Sequence, residues 1–576
     1  MQQRAGRATR SRHPIRSFAT EHPSAITAVI AAALTVWVYW PLLARLRTTT
    51  SGDRDMALFI WSMEHAPWRL VHGHNPWFST AIFATTGGAN LAFNATAPGL
   101  ALLMAPITAA LGPVASVNVL SALTPLLNTL AARRLLRVTT GRRGWSVTFA
   151  ALLVGFSPVV LMHNAGRFQL AFQAIVLLLL AELWIAASAW LDGRPLPMRN
   201  LVCAGVLAGA QVWIGTELLA ITVIVGVLAL IAALVLRAAA HTLHIVRPRR
   251  GDVVAIASGI ASSVIVASPF LAEFLFGSER YTDPYHAPAR PLFGLRLANA
   301  LTPTDVDLFH THMPFTTARA SLGVFPDENT GFISVLGVAV IVLVAVSWTR
   351  RSAVERGALL VGLSCWLLAL GPTILWSGTG SGPPGPWRVI ERLPVLDEIV
   401  ASRLSFGLFV ALGVLIASIG ASMSDGSVLE RVLWSACVLL PVLLFPSQFD
   451  KLHTVSSDAD ELVEKRCGSA LVLTAPQELE QEGMAWQARA SFDFDLYRGF
   501  AFRASTPPKG DLLLIDDIAH NGTASTADPV DAVEELHSLG IGCVVTPAER
   551  SDVITNVSAA LGPPTIAGDV AVWSDR

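Results

Sequence analysis

The sequence carries little charge for its length. Only 14% of its 576 residues are charged, whereas soluble domains contain about 25% charged residues. The formal net charge is -1, so no overall electrostatic field predicts binding to nucleic acid. Hydrophobic residues make up 53% of the chain, and this composition predicts a protein embedded in lipid.

Several standard chemical motifs are also absent. The sequence contains no Walker motif, dinucleotide-binding fingerprint, zinc signature or nucleophile elbow. Cysteine is scarce, with five residues in the whole chain. Cys467 and Cys543 are the two cysteines of the more polar C-terminal part. A disulfide between them and a pair of buried, unpaired thiols both fit the sequence.

Long apolar runs predict eleven transmembrane helices, because a helix crosses the hydrocarbon layer in about 20 residues. The predicted spans are Ile26–Leu43, Ala115–Leu135, Val147–Met162, Leu170–Leu191, Leu201–Gly215, Leu218–Leu236, Val254–Phe276, Phe332–Trp348, Ala358–Leu375, Leu404–Ser422 and Val428–Phe445. The run Pro98–Leu111 is apolar but short and contains proline, so we interpret it as a re-entrant or interfacial segment. If this run is counted as a span, the chain has twelve transmembrane helices.

Arginine placement favours eleven spans with the N-terminus in the cytoplasm. A basic tail, residues 1–24, precedes the first span, and the predicted cytoplasmic connections all contain arginine. If Pro98–Leu111 crossed the membrane, the arginines of residues 133–143 would move outside, against the positive-inside rule. Arginine is also far commoner than lysine, which is typical of a GC-rich bacterial genome. We therefore expect a multi-pass protein of the bacterial plasma membrane.

This topology divides the rest of the chain into two parts. A transmembrane part, residues 25–447, has long outer loops at 44–114, 277–331 and 376–403. The remainder, residues 448–576, is expected outside the cytoplasm as a small α/β domain. Its predicted strands are Ala470–Leu473, Leu512–Ile515, Gly542–Val545 and Val570–Trp573, with a capped helix at Val530–Leu539.

Two carboxylates follow the first predicted span directly. Asp53 and Asp55 lie in the run Ser51-Gly52-Asp53-Arg54-Asp55. Acids at a membrane edge are costly to bury, and they are usually kept for chemistry, ion binding or pairing. The alternative is a pair of solvated loop charges, one of them paired with Arg54. The residues after them, with Trp61 and Trp68, predict an amphipathic helix in the membrane interface.

Three histidines in the same loop are candidate metal ligands. His65, His72 and His74 all carry imidazole nitrogens that bind metals in other proteins. Their spacing matches no standard zinc site, and a plain polar role is the commoner alternative for interfacial histidines. The sequence therefore leaves the metal question open.

An ordered series of motifs resembles a known family. It consists of the run Ser51–Asp55, which we call the acidic loop, the helix with Trp61 and Trp68, Ala132-Arg133-Arg134-Leu135-Leu136, Phe156-Ser157-Pro158, His163-Asn164-Ala165-Gly166-Arg167-Phe168, and Ala401-Ser402-Arg403 before Leu404. In this order the motifs resemble the GT-C superfamily of integral-membrane glycosyltransferases, most closely the bacterial branch related to aminoarabinose and protein mannosyltransferases. The motifs up to Phe168 cover residues 25–190, the Ala401-Ser402-Arg403 match lies further along the chain, and architecture extends the resemblance to the rest. It implies a GT-C-like fold and a polyprenyl-phosphate sugar as donor.

The resemblance also implies roles for individual residues. An acid in the first outer loop acts as general base on the acceptor hydroxyl; Asp53 occupies that place and Asp55 follows closely. The displacement is direct, so the anomeric centre inverts. Arg403 is the first candidate to bind the lipid phosphate, since a guanidinium offers it two donors, and Arg167 is the second. The alternative for each arginine is an ordinary interface anchor.

Other candidate substrate-binding residues lie on the same predicted side. They are His72 and His74, His163, Asn164, Gln169, Glu217 and Glu328. Many relatives have an acid in this region, and this chain has Gln169 instead, which weakens the case for a metal held by two carboxylates. Glu217 is the candidate to supply that acid, with a simple loop charge as the alternative. No cofactor is firmly implied, and a divalent cation, Mg²⁺ or Mn²⁺, stays open.

The expected activity is transfer of a sugar from a polyprenyl-phosphate donor to an envelope glycan, glycolipid or protein on the outer membrane face. Membrane lipids are the other expected partners, and nucleic acid is not one. A transporter or flippase is an alternative, but it predicts internal repeats and broken helices near the midplane, and the sequence shows no such repeat. A non-catalytic scaffold for envelope assembly is the third interpretation.

Overall fold

In the computed structural model the chain is mostly helical. The structure describes residues 23–51, 55–242, 248–280, 293–303, 328, 330–393, 396, 399–420, 428, 452–454, 467–473, 481–499, 501, 513–568 and 570–574. Asp53 lies outside the described residues, as does the predicted span Val428–Phe445 apart from its first residue.

The helices of the N-terminal three quarters follow the predicted apolar runs. They are α1 (Pro23–Leu43), α2 (Asp55–Val71), α3 (Pro98–Leu111), α4 (Pro113–Thr140), α5 (Trp145–Gly155), α6 (Pro158–His163), α7 (Phe168–Ala171), α8 (Ala174–Leu191), α9 (Met198–Val212), α10 (Thr216–Ala239), α11 (Arg250–Phe276), α12 (Ser334–Val346), α13 (Ala353–Ala369), α14 (Trp387–Ile390) and α15 (Ser405–Ile419). A short strand β1 (Thr49–Ser51) precedes α2, and strands β2 (Phe78–Ser79) and β3 (Ala89–Asn90) follow it.

Seven helical stretches in the described part are long and apolar enough to cross a membrane. They are Ser24–Leu43, Pro113–Thr140, Trp145–His163, Phe168–Leu191, Thr216–Ala239, Arg250–Phe276 and Ala401–Ile419. Three further predicted spans are shorter helices, α9, α12 and α13. The structure thus has a helix at each of the first ten predicted positions, and seven of these are of spanning length. The chain is accordingly a helical membrane protein.

The helix α3 supports the separate treatment of Pro98–Leu111. It has 14 residues, too few for the about 20 that a span needs. Its first turn contacts the connection between α9 and α10, where Gly99 N donates to Trp213 O at 2.8 Å. Pro98 and Pro113 begin α3 and α4 respectively, because proline lacks the N–H that the first turn leaves unpaired.

Close helix packing depends on small residues, as is common between transmembrane helices. Helices α9 and α11 approach so closely that a Cβ on Gly209 would lie 2.7 Å from Ser263 O. At the centre, every residue of α15 is buried. Its backbone is fixed by neighbours on all sides, so the residues just before it, Ala401–Leu404, are held in a defined place.

A five-stranded sheet forms the C-terminal part. Its elements are β5 (Ser469–Val472), α16 (Gln481–Arg489), β6 (Asp495–Leu496), α17 (Leu514–Asn521), α18 (Pro529–Ser538), β7 (Cys543–Pro547), α19 (Ser551–Leu561), β8 (Thr565–Ala567) and β9 (Val570–Ser574). The strand order is β6-β5-β7-β9-β8, with β5 parallel to β6 and β7, and β9 antiparallel to β7 and β8. Three of the four predicted strands are confirmed.

The fourth predicted strand, Leu512–Ile515, is wrong. Residues from Leu514 onward form α17 because Asp516 stabilises its first turn by accepting the Leu513 N–H at 2.9 Å. The predicted helix at Val530–Leu539 is confirmed as α18, with Asp528 as its N-cap. Cys467 and Cys543 form a disulfide, with Cα atoms 5.4 Å apart, and this resolves the open alternative.

The sheet contacts the loop that carries the acidic run. The buried Gln487 of α16 accepts Trp61 Nε1–H at 2.8 Å and donates to Ala81 O at 2.7 Å. Strand β1 pairs antiparallel with β4 (Leu452–Thr454). Residues on both sides of positions 52–54 are therefore tied to the C-terminal part of the chain.

We predict that Gln487→Ala loosens this attachment. The substitution leaves Trp61 Nε1 and Ala81 O without their partner, and each buried unsatisfied group costs about 1–3 kcal/mol. Hydrogen exchange of α2 in lipid should increase, and the midpoint of thermal unfolding should fall. Glu534→Ala, on the exposed side of α18, is the control. Equal protection of α2 in both variants would show that Gln487 does not hold it.

Candidate active site

The candidate site begins at the first turn of α2. Asp55 lies there with a side chain 26% exposed, and its Oδ2 accepts Arg167 Nε at 3.1 Å. A carboxylate at a helix N-terminus is favoured by the helix dipole. The neighbouring candidate Asp53 lies outside the described residues, so Asp55 is the acid whose contacts the structure gives.

Arg167 joins the acidic loop to a second carboxylate. It lies in the turn between α6 and α7, where Gly166 has φ +136° and Arg167 N donates to His163 O at 2.7 Å. Its Nη1 donates to Glu328 Oε1 at 3.0 Å. The guanidinium therefore bridges Asp55 and Glu328, which come from opposite halves of the sequence.

Glu328 is the most connected group of the site. Its side chain is only 3% exposed and accepts Arg403 Nη2 at 2.6 Å and Ser402 Oγ at 3.2 Å. His163 Nε2 lies 3.5 Å from Glu328 Oε2. Arg403 also pairs through Nη1 with Glu217, at the start of α10. We call Asp55, Arg167, Glu217, Glu328 and Arg403 the ion-pair cluster.

The charges of the ion-pair cluster decide what each member can do. Burial alone would raise the pKa of Glu328, but Arg403, His163 and Arg167 hold it well below its usual range. Glu328 is therefore an ionised acceptor and not a proton carrier. Arg403 is held by two carboxylates, so a phosphate would have to compete with Glu217 for its Nη1. Asp55 is the most exposed carboxylate of the cluster.

Two predicted residues near the turn after α6 make their contacts outside the ion-pair cluster. Asn164 donates to Tyr39 Oη and to Ser121 O, the second bond at 2.8 Å, so its carboxamide joins α1 to α4. The Cβ of Gln169 lies 3.0 Å from the position of a Cβ on Gly215, two residues before Glu217. Gln169 Oε1 is buried, and none of the described residues donates a hydrogen bond to it.

The histidines of the first loop lie outside the ion-pair cluster. His72 and His74 are exposed, and His72 stacks on Trp68 with centroids 4.1 Å apart. His65 is buried against Trp61, and burial with the nearby Arg69 lowers its pKa well below the usual value. Among the described residues, no group of three or more His, Cys, Asp or Glu side chains has the geometry to hold a metal ion.

Ser402 is a site residue that the sequence interpretation missed. Its hydroxyl donates to Glu328 Oε2, next to the arginine that makes the principal ion pair. The signal that could have found it is the Ala401-Ser402-Arg403 motif itself. In the 3₁₀ turn of residues 401–404, the adjacent side chains of Ser402 and Arg403 both bind the carboxylate of Glu328.

Comparison with known proteins gives matches in fold. The chain matches no known family by sequence profile and no curated protein by sequence similarity. The oligosaccharyltransferase of Archaeoglobus fulgidus, solved tethered with an acceptor peptide, matches with a TM-score of 0.52 and 13% identity, over 95% of this chain and 72% of that one. Arabinofuranosyltransferase AftD from Mycobacteria matches with a TM-score of 0.57 and 12% identity, over 96% of this chain. This chain covers 40% of AftD. The neighbours are GT-C glycosyltransferases, so the predicted GT-C-like fold is confirmed.

We predict that Glu328→Gln destabilises the protein strongly. Removing one partner of a buried ion pair costs about 3–5 kcal/mol, and here two arginines lose a counter-charge. Asp192→Asn is the matched control, because Asp192 also pairs with two arginines, Arg194 and Arg237, but is exposed; an exposed pair contributes about 0–1 kcal/mol. Thermal unfolding in lipid measures both. Similar losses in the two variants would contradict the central role of Glu328.

The depressed pKa of Glu328 also predicts a pH dependence. The folded-state pKa lies below the unfolded value of about 4.3. The stabilisation is therefore full above about pH 5 and is lost as the pH falls toward the folded-state pKa. Thermal unfolding of the wild type between pH 6 and pH 3 should show this loss, and Glu328→Gln should reduce it. Identical pH profiles would contradict the assignment.

Proposed function

We propose that this chain is an inverting glycosyltransferase that moves a sugar from a polyprenyl-phosphate donor to a cell-envelope acceptor on the outer face of the membrane. The observation that carries the proposal is the ion-pair cluster. Within a GT-C fold, five distant segments bring their charged side chains together beside the acidic loop.

The location of the cluster favours surface chemistry over passage through the membrane. Asp55 and Glu217 lie in the first turns of helices, Arg403 lies just before α15, and Arg167 lies in a turn. In a transporter, ionisable groups would be expected near the midplane of the bilayer, where transmembrane helices are broken. Charges collected at helix ends are instead suited to a reaction between a lipid-linked donor and an aqueous acceptor.

In the proposed reaction, the acceptor hydroxyl oxygen attacks the anomeric carbon of the donor. The new bond joins that oxygen to the anomeric carbon, and the bond from this carbon to the phosphate oxygen breaks, with its electron pair going to the phosphate. The hydroxyl proton goes to a carboxylate acting as general base. Asp55 is the described candidate, and Asp53 is the second.

Arg167 and Glu328 would position this base. Arg167 holds Asp55 through Nε while Glu328 holds Arg167 through Nη1, so the ionised Glu328 fixes the carboxylate from behind. Arg403 would meet the developing charge on the leaving phosphate through Nη1, because a hydrogen bond between charged groups is stronger than one between neutral groups. In that step the phosphate replaces Glu217 at Nη1, while Glu328 keeps Nη2 and Nε.

The sugar and the acceptor stay open within this proposal. One fold neighbour was solved with an acceptor peptide and the other is named an arabinofuranosyltransferase, so these names support glycosyl transfer while differing in acceptor and sugar. An envelope glycan, a glycolipid and a protein are all candidate acceptors. If transfer also requires Mg²⁺ or Mn²⁺, chelating divalent cations with EDTA would stop it.

We predict that Asp55→Asn strongly slows transfer while keeping the fold. Loss of a general base lowers the rate about 10²–10⁴-fold. The assay uses the purified chain in lipid, a panel of polyprenyl-phosphate sugars and envelope acceptors, with and without EDTA. Asp192→Asn is the control for removal of a distant carboxylate, and Asp53→Asn runs in parallel. Full transfer by Asp55→Asn, with loss in Asp53→Asn, would overturn the assignment of Asp55 as the base.

A further inference from the structure

Arg296 is a buried cation that the ion-pair cluster does not use. Its side chain is 1% exposed, and its Nε donates to Gly378 O at 2.6 Å. Its Nη1 donates to Gly294 O. Within the part of the chain that the structure describes, its buried Nη2 has no hydrogen-bond partner, and no carboxylate forms an ion pair with the guanidinium. Backbone carbonyls thus hold the guanidinium in place without neutralising it.

A second buried donor lies three residues further on. Asn299 is completely buried in the 3₁₀ turn Leu297–Ala300, and its Oδ1 accepts Arg296 N at 2.5 Å. The carboxamide nitrogen, Nδ2, is also buried, and it has no hydrogen-bond partner among the described residues. One short segment therefore contains two buried, unsatisfied N–H groups, one of them on a charged side chain.

This arrangement is unfavourable without a ligand. A buried donor that lacks an acceptor and a buried charge that lacks a counter-charge are both destabilising. Burial lowers the pKa of Arg296, but a guanidinium stays protonated in proteins. A water molecule would satisfy the donors and leave the charge. An oxyanion would satisfy both, and phosphate oxygens accept several such donors at once.

The segment lies at the end of the helix bundle that carries the ion-pair cluster. Leu295 Cδ1 lies 2.7 Å from the position of a Cβ on Gly331, three residues after Glu328. Ala298 N donates to Trp376 O at 3.0 Å, and the Trp376 side chain is 69% exposed. Exposed tryptophan is typical of the headgroup level of a bilayer, which is where lipid phosphates are found.

We propose that Arg296 and Asn299 form an oxyanion site that binds a phosphate group, separate from the ion-pair cluster. The phosphate has two possible sources, a lipid headgroup, including a polyprenyl phosphate, or free inorganic phosphate. This site goes beyond the proposed sugar transfer, because binding requires no reaction. A failure of transfer and a failure of phosphate binding are therefore distinguishable.

The test measures thermal unfolding of the full chain with three probes at matched ionic strength. These are inorganic phosphate in detergent, nanodiscs of phosphatidylcholine with undecaprenyl phosphate, and nanodiscs of phosphatidylcholine alone. Arg296→Gln should lose the rise in midpoint that the phosphate probe produces, with affinity reduced about tenfold or more. Arg388→Gln, an exposed arginine of α14, is the matched control and should keep the rise.

A second variant guards against simple misfolding of Arg296→Gln. Asn299→Asp keeps the shape of the side chain but replaces the Nδ2 donor by a carboxylate oxygen, which brings a negative charge into the buried turn that follows Arg296. It should unfold at a higher temperature than wild type without phosphate and should no longer respond to it. A response to inorganic phosphate supports a free anion, and a response confined to undecaprenyl phosphate supports a lipid source. No response in the wild type, or an equal response in Arg296→Gln, overturns the proposal.

Discussion

The pairing of Glu328 with Arg403 and Arg167 is the interaction on which the site depends. Burying a charge without a partner costs roughly several kcal/mol even after the protein relaxes around it. These groups must therefore either form ion pairs or stay outside the protein interior. Their meeting fixes the turn after α6 and the turn before α15 relative to each other. Through Arg167 the same constraint reaches Asp55, and through Arg403 it reaches Glu217.

The rest of the structure supplies rigid support for these contacts. Because α15 is buried along its whole length, the turn that presents Ser402 and Arg403 has little freedom to move. On the opposite side, Gln487 holds α2 while β4 pairs with β1. The acidic loop is thus attached at both flanks, which is the preorganisation that a positioned general base requires.

Much of this organisation follows from local sequence, and the remainder depends on distant pairing. Apolar runs and proline positions predicted the helices, because both act within about 20 residues. The order of the motifs predicted that Arg403 and Arg167 lie at the site, but as ligands of a phosphate. In the structure both arginines pair with Glu328, and Arg403 also pairs with Glu217, which lies 186 residues away in the sequence. The spacing of residues along the chain cannot reveal such distant pairs. Leu512–Ile515 was mistaken for a strand because a single capping carboxylate outweighed β propensity.

The measurement that tests this account most directly is a double-mutant cycle on thermal stability, with Glu328→Gln, Arg403→Gln and the double variant in lipid. If the ion pair organises the site, either single change leaves a buried charge poorly compensated. The double variant should then be less unstable than the sum of the singles, with a coupling energy of about 1–3 kcal/mol. Additive losses would mean that the two side chains act independently, and they would contradict the account.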